Sequence, residues 1–400
     1  MKFPLSLYIH IPWCIRKCPY CDFNSHAAQG AIPENEYINK LINELRSQLH
    51  FVHERKIHTV FIGGGTPSLF SPEAYVLLFS QLKQSLDFEE NCEITIEANP
   101  GTTEASKLKG YFDAGINRVS LGVQSFQNDK LKILGRIHEA DHAKKAVVHA
   151  HEAGFKKINI DLMFGLPNQT IDDALFDLQT AIDLSPTHIS WYQLTLEPNT
   201  YFHRFPPVLP SDDARFDIQQ AGQALLRENG FVQYEISAYA KSVLFEKSPP
   251  APLFQRGGSD VSPLFQGGEQ SNPNICKHNL NYWLFGDYLG IGAGAHAKFA
   301  HLRRWNTKHP KKYLNDFSFE EKIITPDEMP LEFMMNALRL RQPIPIALFE
   351  MRTGLNFSVI QKKIKKAIDL ELLTLNDKEF QVTEKGCLFL NDLLELFISY

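Results

Sequence analysis

Six short apolar segments alternate with longer amphipathic segments over the first half of this 400-residue chain. The strand-like segments are residues 5–11, 59–62, 93–97, 118–123, 157–163 and 188–194, and the helical segments between them are residues 34–51, 72–86, 104–114, 140–153 and 170–184. This alternation predicts parallel strands joined by right-handed crossovers. Six units are fewer than the eight of a closed TIM barrel. We therefore predict an α/β fold, a partial (β/α)6 barrel whose chemistry lies on loops at the carboxyl ends of the strands.

The second half of the chain follows a different pattern. After a barrel unit at residues 1–200, a helix at 212–228 and a strand at 231–239 predict an α+β extension over residues 201–325. A stretch rich in Pro, Gly and Ser at about 248–274 predicts a flexible inserted loop, because it has few residues to bury. A ligand for a proline-binding partner is the alternative for this stretch.

Residues 326–400 have the element order of a winged-helix unit. A short helix begins at Met329, and an amphipathic helix at 358–370, a hairpin at 372–382 and a final helix follow. The formal net charge of the whole chain is −5, so no basic field favours nucleic acid as a partner. We interpret this unit as an interaction or lid domain.

Composition and the N-terminus indicate a cytoplasmic globular protein. Hydrophobic residues make up 44% of the chain and charged residues 22%, which excludes a mainly disordered or fibrous chain. Six cysteines are too few for a disulfide scaffold, so a reducing compartment is favoured. The apolar run before Cys14 lacks the small residues of a signal-peptide cleavage site, and no run of 18 apolar residues follows.

Half of the cysteines lie within eight residues, on the loop after the first predicted strand. Cys14, Cys18 and Cys21 form C-x3-C-x2-C. Three thiolates can hold a four-iron cluster and leave one iron open to a small chelating molecule. A structural zinc site is the alternative, although zinc normally takes a fourth Cys or His, and only His10 and His26 flank the triplet.

The segment from Tyr8 to Cys21, Tyr-Ile-His-Ile-Pro-Trp-Cys-Ile-Arg-Lys-Cys-Pro-Tyr-Cys, resembles the cluster loop of the radical S-adenosylmethionine (SAM) superfamily. The rest of the chain, apart from the Pro- and Gly-rich insertion, resembles the anaerobic coproporphyrinogen III oxidase branch of that superfamily. The resemblance implies a 4Fe–4S cluster on the three cysteines. It also implies that the amino and carboxyl groups of SAM chelate the open iron.

Polar and glycine residues at the ends of later strands would complete the SAM site. Each alone is more simply a tight turn or a satisfied polar group, but together they match cofactor-contacting positions of the family. A carboxylate suits the ammonium or hydroxyls of SAM, and an Arg fork suits its carboxylate. The residues that the resemblance assigns to SAM are Tyr8, Gly64, Gly65, Thr66, Glu97, Gln124, Arg136 and Asp161.

Two departures separate this chain from the oxidases themselves. The oxidases carry a fourth cysteine where this chain has Phe23, and a long N-terminal arm where this chain has seven residues before Tyr8. In exchange the chain contains His278-Asn279-Leu-Asn-Tyr282-Trp283. Spacing alone favours a structural histidine in a buried aromatic corner, because His278 and Tyr282 share one face if the segment is helical.

The same segment, however, resembles the H-N-x-x-Y-W signature of HemW-type haem chaperones. That resemblance implies haem contacts by His278, Asn279, Tyr282 and Trp283, with Cys276 as a further candidate. The predicted function is a haem chaperone that keeps the cluster and SAM, lacks oxidase activity and passes haem to an unidentified acceptor protein. Residual SAM cleavage and peripheral contact with membrane haem proteins are compatible with this role.

Two other functions stay open at this point. The first is an oxygen-independent coproporphyrinogen III dehydrogenase, which would decarboxylate propionates through a 5′-deoxyadenosyl radical. The second is a zinc-stabilised barrel with no radical chemistry.

Overall fold

A computed structural model describes residues 4–243 and 272–398 of the chain. The predicted alternation of six strands and five helices is confirmed, with shifts of a few residues at the element ends. The elements of this first part are β1 Leu5–Ile11, β2 Trp13–Cys14, β3 His26–Ala27, α1 Glu34–Gln48, β4 Ile57–Gly64, α2 Pro72–Leu82, β5 Phe88–Ala98, α3 Ala105–Asp113, β6 Arg118–Gln124, α4 Asn128–Ile133, α5 Ala140–Ala153, β7 Lys157–Phe164, α6 Ile171–Asp183 and β8 His188–Gln193.

The extension continues the large sheet. Its elements are α7 Tyr201–Arg204, α8 Asp212–Glu228, β9 Phe231–Gln233, β10 Ala238–Lys241, α9 Lys277–Trp283, β11 Asp287–Ile291, β12 His296–Phe299, β13 Leu302–Asn306, α10 Pro310–Asn315 and β14 Phe319–Ile323. The single strand predicted at 231–239 is wrong, because β9 and β10 form an antiparallel hairpin. The Glu235 carboxylate accepts hydrogen bonds from the backbone N–H and the hydroxyl of Ser237, and so stabilises the turn. Most of the predicted insertion at 248–274 lies outside the described residues.

Twelve strands form one sheet in the order β14-β13-β12-β11-β1-β4-β5-β6-β7-β8-β10-β9. The run from β11 to β8 is parallel throughout, so the extension adds a seventh parallel strand beside β1. Parallel strands are covered on both faces. In β1, Leu7, Ile9 and Ile11 are fully buried on one face, and Ser6 and His10 are buried on the other. The domain division at residue 200 stays a prediction, and the sheet itself runs across that position.

The C-terminal unit has a second hydrophobic core, centred on Phe333, Phe349 and Phe380. A three-stranded sheet carries the predicted hairpin, and a break at Phe389 divides the predicted final helix in two. Across the described residues, no helix is long and apolar enough to cross a membrane. The elements of the unit are α11 Met329–Ala337, β15 Ile344–Pro345, α12 Ile346–Thr353, α13 Gln361–Asp369, β16 Leu373–Leu375, β17 Glu379–Val382, α14 Glu384–Leu388 and α15 Leu390–Glu395.

Candidate cofactor site and the motif helix

A cavity of about 280 Å³ lies at the carboxyl ends of the parallel strands. It is lined by almost all of the residues that the sequence assigns to the cluster and to SAM. Those residues are Cys14, Cys18, Cys21, Gly64, Gly65, Thr66, Glu97, Gln124, Arg136 and Asp161. Residues from the cysteine loop and from four successive strand ends therefore meet at one place, as the parallel topology requires.

The cysteine loop is closed by a short parallel strand pair. Trp13 pairs with His26 and Cys14 with Ala27, so the chain returns to its starting point after the triplet. Burial first, and then the neighbouring Cys21 and Cys18 thiols, raise the pKa of Cys14 to about 11. Metal coordination reverses such a shift, because a bound cation stabilises thiolates. Over residues 4–243 and 272–398, no three His, Cys, Asp or Glu side chains are placed to hold a single metal ion.

The glycine segment packs directly against the cysteine loop. A Cβ on Gly65 would lie 2.4 Å from the Trp13 carbonyl oxygen, so no larger residue fits there. The Gly65 N–H donates to the Ile11 carbonyl, and the Thr66 N–H donates to the Trp13 carbonyl, both at 2.7 Å. These amides therefore hold the cysteine loop in place instead of facing a ligand. What the segment can offer an ammonium group is carbonyl oxygen, because an ammonium group is itself a donor.

Two buried carboxyl groups face the cavity. Burial first, and then the nearby Asp161 charge, raise the pKa of Glu97 to about 8, although Glu97 accepts the Gly64 N–H at 3.2 Å. Burial also raises the pKa of Asp161, whose oxygens accept hydrogen bonds from Ser120 at 2.8 Å and Asn159 at 2.7 Å. A cationic ligand in the cavity would favour the ionised form of both groups.

Arg136 reaches from the loop between α4 and α5 into the same cavity. One guanidinium nitrogen donates to the Gly122 carbonyl at 2.6 Å, and another lies 3.7 Å from Cys18 Sγ. The third nitrogen, Nε, is buried and has no hydrogen-bond partner in the described structure. A buried donor without a partner is costly, so this N–H is suited to a carboxylate ligand.

Gln124 ends β6 in the left-handed backbone region, at φ 73°, and its side-chain oxygen accepts the Tyr192 hydroxyl at 2.7 Å. Tyr192 was not predicted, although it lies near the end of the sixth strand, where the same rule would have found it. Tyr8 does not line the cavity. Its hydroxyl lies 3.0 Å from His10 Nδ1, and its ring stacks on Phe61.

The His278–Trp283 segment is helical and lies in α9, which packs against β4 of the large sheet. His278 is 1% exposed, and both ring nitrogens are engaged: Nδ1 with the Thr59 hydroxyl at 2.8 Å and Nε2 with the Tyr282 hydroxyl at 2.9 Å. Thr59 donates its own proton to Ser6, so Nδ1 is assigned the imidazole proton and Nε2 accepts from Tyr282.

Burial keeps this histidine neutral, because it lowers the pKa of His278 to about 3. Cys276 is 3% exposed at the start of the same helix, and burial raises the pKa of its thiol to about 11. In this arrangement neither side chain presents a free ligand to solvent. Trp283 differs, because it lines a separate cavity on the far side of the helix.

Known proteins match the whole chain. The radical SAM superfamily matches residues 8–180, and the HemN C-terminal domain matches residues 324–389. The heme chaperone HemW of Haemophilus influenzae is 51% identical over 99% of this chain and 98% of its own length. HemW of Escherichia coli is 46% identical over the same shares, and HemW of Bacillus subtilis is 31% identical over 98% and 99%. The chain belongs to the HemW family of the radical SAM superfamily.

A solved structure supports the fold of this HemW-family chain. The coproporphyrinogen III oxidase HemN from Escherichia coli has a TM-score of 0.80 and 24% identity, covering all of this chain and 91% of its own. At that identity the likeness concerns the fold alone. The cofactors of the radical SAM superfamily are a 4Fe–4S cluster and SAM. The three thiols, the unpartnered N–H of Arg136 and the two buried carboxyl groups fit these groups.

Proposed function

We propose that this chain is a haem chaperone, which binds haem and passes it to an acceptor protein. The observation that carries the proposal is the full-length similarity to three proteins named heme chaperone HemW, at 51%, 46% and 31% identity. In this proposal the chaperone acts in the cytoplasm, and its acceptor is an unidentified haem protein. Nucleic acid is not among its proposed partners.

Within this function the cavity residues have distinct roles. Cys14, Cys18 and Cys21 hold the cluster, and the Nε–H of Arg136 binds the carboxylate of SAM. Glu97 and Asp161 receive its cationic or hydroxyl groups, because burial raises the pKa of both carboxyl groups and a cation or donor would stabilise their ionised forms. When bound, the cluster supplies one-electron chemistry to SAM.

We further propose that the chain lacks coproporphyrinogen oxidase activity. Phe23 stands at the position of the oxidases' fourth cysteine; it is 61% exposed and lines the cavity. An aromatic ring there has no thiol to offer to the substrate side of the site. The similarity to the solved oxidase concerns the fold, so it does not favour the oxidase function over the chaperone function.

A single preparation tests both parts of the proposal. The full chain is reconstituted anaerobically, titrated with haem, mixed with a haem-free acceptor protein, and assayed for coproporphyrinogen decarboxylation with reductant and SAM. We expect haem binding, transfer to the acceptor and no decarboxylation. Robust turnover would establish the oxidase function instead, and failure to bind haem would contradict the chaperone function.

A further inference from the structure

A second cavity, of about 220 Å³, lies between the far side of α9, the strands β11 to β13 and the helix α11. The cavity lies between the large sheet and the C-terminal unit, and it is separate from the cofactor cavity. Aromatic rings and two cations form much of its wall: Tyr282, Trp283, Phe285, Tyr288, Lys298 and Arg303.

The first cation, Lys298, is enclosed by the protein, and its carboxylate partner is shared with another cation. Lys298 is 2% exposed, and its ammonium lies 3.1 Å from the Phe285 carbonyl oxygen and 3.6 Å from Asp287. Asp287 has a nearer partner in Arg55, at 2.8 Å. Burial lowers the pKa of Lys298 to about 8, although the Asp287 carboxylate opposes this shift. The Phe285 ring covers the ammonium at 3.9 Å.

Arg303 is the second cation. It donates to the Tyr288 hydroxyl at 2.9 Å and to the Glu332 carboxylate at 2.6 Å. A guanidinium group carries five N–H donors and an ammonium group carries three, so both cations have donor capacity beyond these partners.

Trp283 adds a neutral donor. Its indole Nε1 is buried and has no hydrogen-bond partner within the described residues. The Arg339 guanidinium covers the ring face at 4.4 Å and holds the side chain against the protein. A buried N–H without an acceptor costs free energy, and a ligand oxygen that reached it after a movement of the ring would recover that cost.

We propose that this cavity binds a carboxylate borne by a flat conjugated ring system. Resting on the proposed function, that ligand is haem, and the group in the cavity is one of its propionates. The aromatic walls suit a conjugated ring, and the two cations and the indole N–H suit carboxylate oxygens. At about 220 Å³ the cavity is smaller than ordinary pockets for whole ligands, so it takes one edge of the macrocycle.

The cavity is also close to the motif histidine. Tyr282 belongs to its wall and makes the hydrogen bond to His278 Nε2. An edge of the ligand in this cavity would therefore contact Tyr282. The Tyr282 hydroxyl is hydrogen-bonded to His278 Nε2, the ring nitrogen that would ligate iron.

Binding titrations of the cluster-loaded full chain test the cavity. The probes are haem, metal-free protoporphyrin IX and protoporphyrin IX dimethyl ester, followed by porphyrin absorption and tryptophan quenching. We expect Arg303→Gln and Lys298→Met each to lower the affinity for haem and for the metal-free diacid by about 10- to 100-fold. The diester should bind weakly to the wild type and should not respond to either variant.

Two matched variants complete the design. Arg304→Gln removes the neighbouring cation, which pairs with Glu321 and stacks on Phe319 away from the cavity, and should leave affinity unchanged. Glu332→Gln removes the competitor for Arg303 and should raise affinity by about 2- to 10-fold. Thermal unfolding of each variant separates loss of the ligand contact from loss of the fold.

The outcomes separate this inference from the proposed function. If Arg303→Gln and Lys298→Met bind as the wild type does, or if the diester binds as well as the diacid, the cavity assignment is wrong although haem binding stands. A different result would be that the wild type does not bind haem, while both variants lower the affinity for metal-free protoporphyrin IX. In that case the cavity assignment stands and the chaperone proposal is wrong.

Discussion

The cofactor cavity and the motif helix α9 both carry short sequence motifs, yet they are opposite kinds of site in the structure. Cysteine thiols line the cavity, and the Nε–H of Arg136 has no partner among the residues that the structure describes. On the sheet side of α9, His278 is enclosed and both of its ring nitrogens are hydrogen-bonded. A motif identifies the residue types that a ligand needs, but only the satisfaction of their polar atoms shows whether the site is open.

The largest expected effect tests the open site. Ala substitution of Cys14, Cys18 or Cys21 should abolish the cluster, measured as iron content and as the absorption band near roughly 400 nm after anaerobic reconstitution. Cys92→Ala is the control, because that thiol is buried away from the cavity. If a variant with all three cysteines replaced by Ala still held four irons per chain, the cluster assignment would be wrong.

A smaller effect is expected where single polar groups bind SAM. Arg136→Ala and Asp161→Ala should weaken SAM binding by about 10- to 150-fold, or about 1.5–3 kcal/mol, and leave the cluster in place. Equilibrium binding of SAM to the reconstituted protein measures this. Arg215→Ala on α8 is the control. SAM affinity unchanged in both variants would show that these strand-end residues do not bind the cofactor.

Substitutions at the enclosed His278 should affect both haem binding and stability. His278→Ala should shift the absorption band of bound haem without removing the cluster, and should also cost about 1–3 kcal/mol of stability, because Thr59 and Tyr282 lose their partner. Thr59→Val removes the other hydrogen bond of the imidazole while leaving Nε2 in place. If both variants alter the haem spectrum equally, His278 acts through packing and not as a ligand.

The pH dependence of stability should have opposite signs at the two sites. The folded pKa of His278 is about 3 against an ordinary 6.5, so only the unfolded chain binds this proton between those values, and the free energy of unfolding falls as pH falls through that window. The folded pKa of Glu97 is about 8 against 4.5, so the folded chain keeps this proton, and the free energy falls as pH rises from 4.5 to 8.

Urea unfolding of the wild type, Glu97→Gln and His278→Gln across pH 4 to 8 would measure both contributions, as differences between wild type and variant. Each variant removes one titrating group, so it should flatten the part of the profile assigned to that group. Differences with the same sign for both variants would contradict the contrast between the two sites.

The smallest expected effect is a gain in haem affinity when the hydroxyl next to His278 is removed. Tyr282→Phe keeps the ring but frees His278 Nε2 from the hydroxyl at 2.9 Å. We expect haem affinity to rise by about 2- to 10-fold, since one neutral hydrogen bond no longer competes with iron. Tyr239→Phe, which removes a buried hydroxyl that contacts Gln223 outside both cavities, is the control. A loss of affinity in Tyr282→Phe would show that the hydroxyl contacts haem directly.

Patterns in the amino-acid sequence alone predict the parallel sheet, the cysteine triplet and most of the residues that line the cofactor cavity. These features rest on local signals: helix and strand periodicity, spacing within one loop, and the rule that parallel strands end at the same edge. Ten of the eleven residues assigned to the cluster and SAM line the cavity for that reason, and Tyr8 is the exception.

The pairing of distant segments, and the polar atoms that remain without a partner, could be seen only in the folded chain. The strand β11 has only five residues, and its sequence pattern does not identify the strand that pairs with it. Its partner β1 lies almost 300 residues earlier in the chain. In the same way, the Thr59 hydroxyl on β4 is hydrogen-bonded to His278 Nδ1, and the carbonyls of Ile11 and Trp13 accept the amides of Gly65 and Thr66. The physical reason is that a hydrogen-bond partner is a property of three-dimensional position, which residue type and spacing along the chain do not specify.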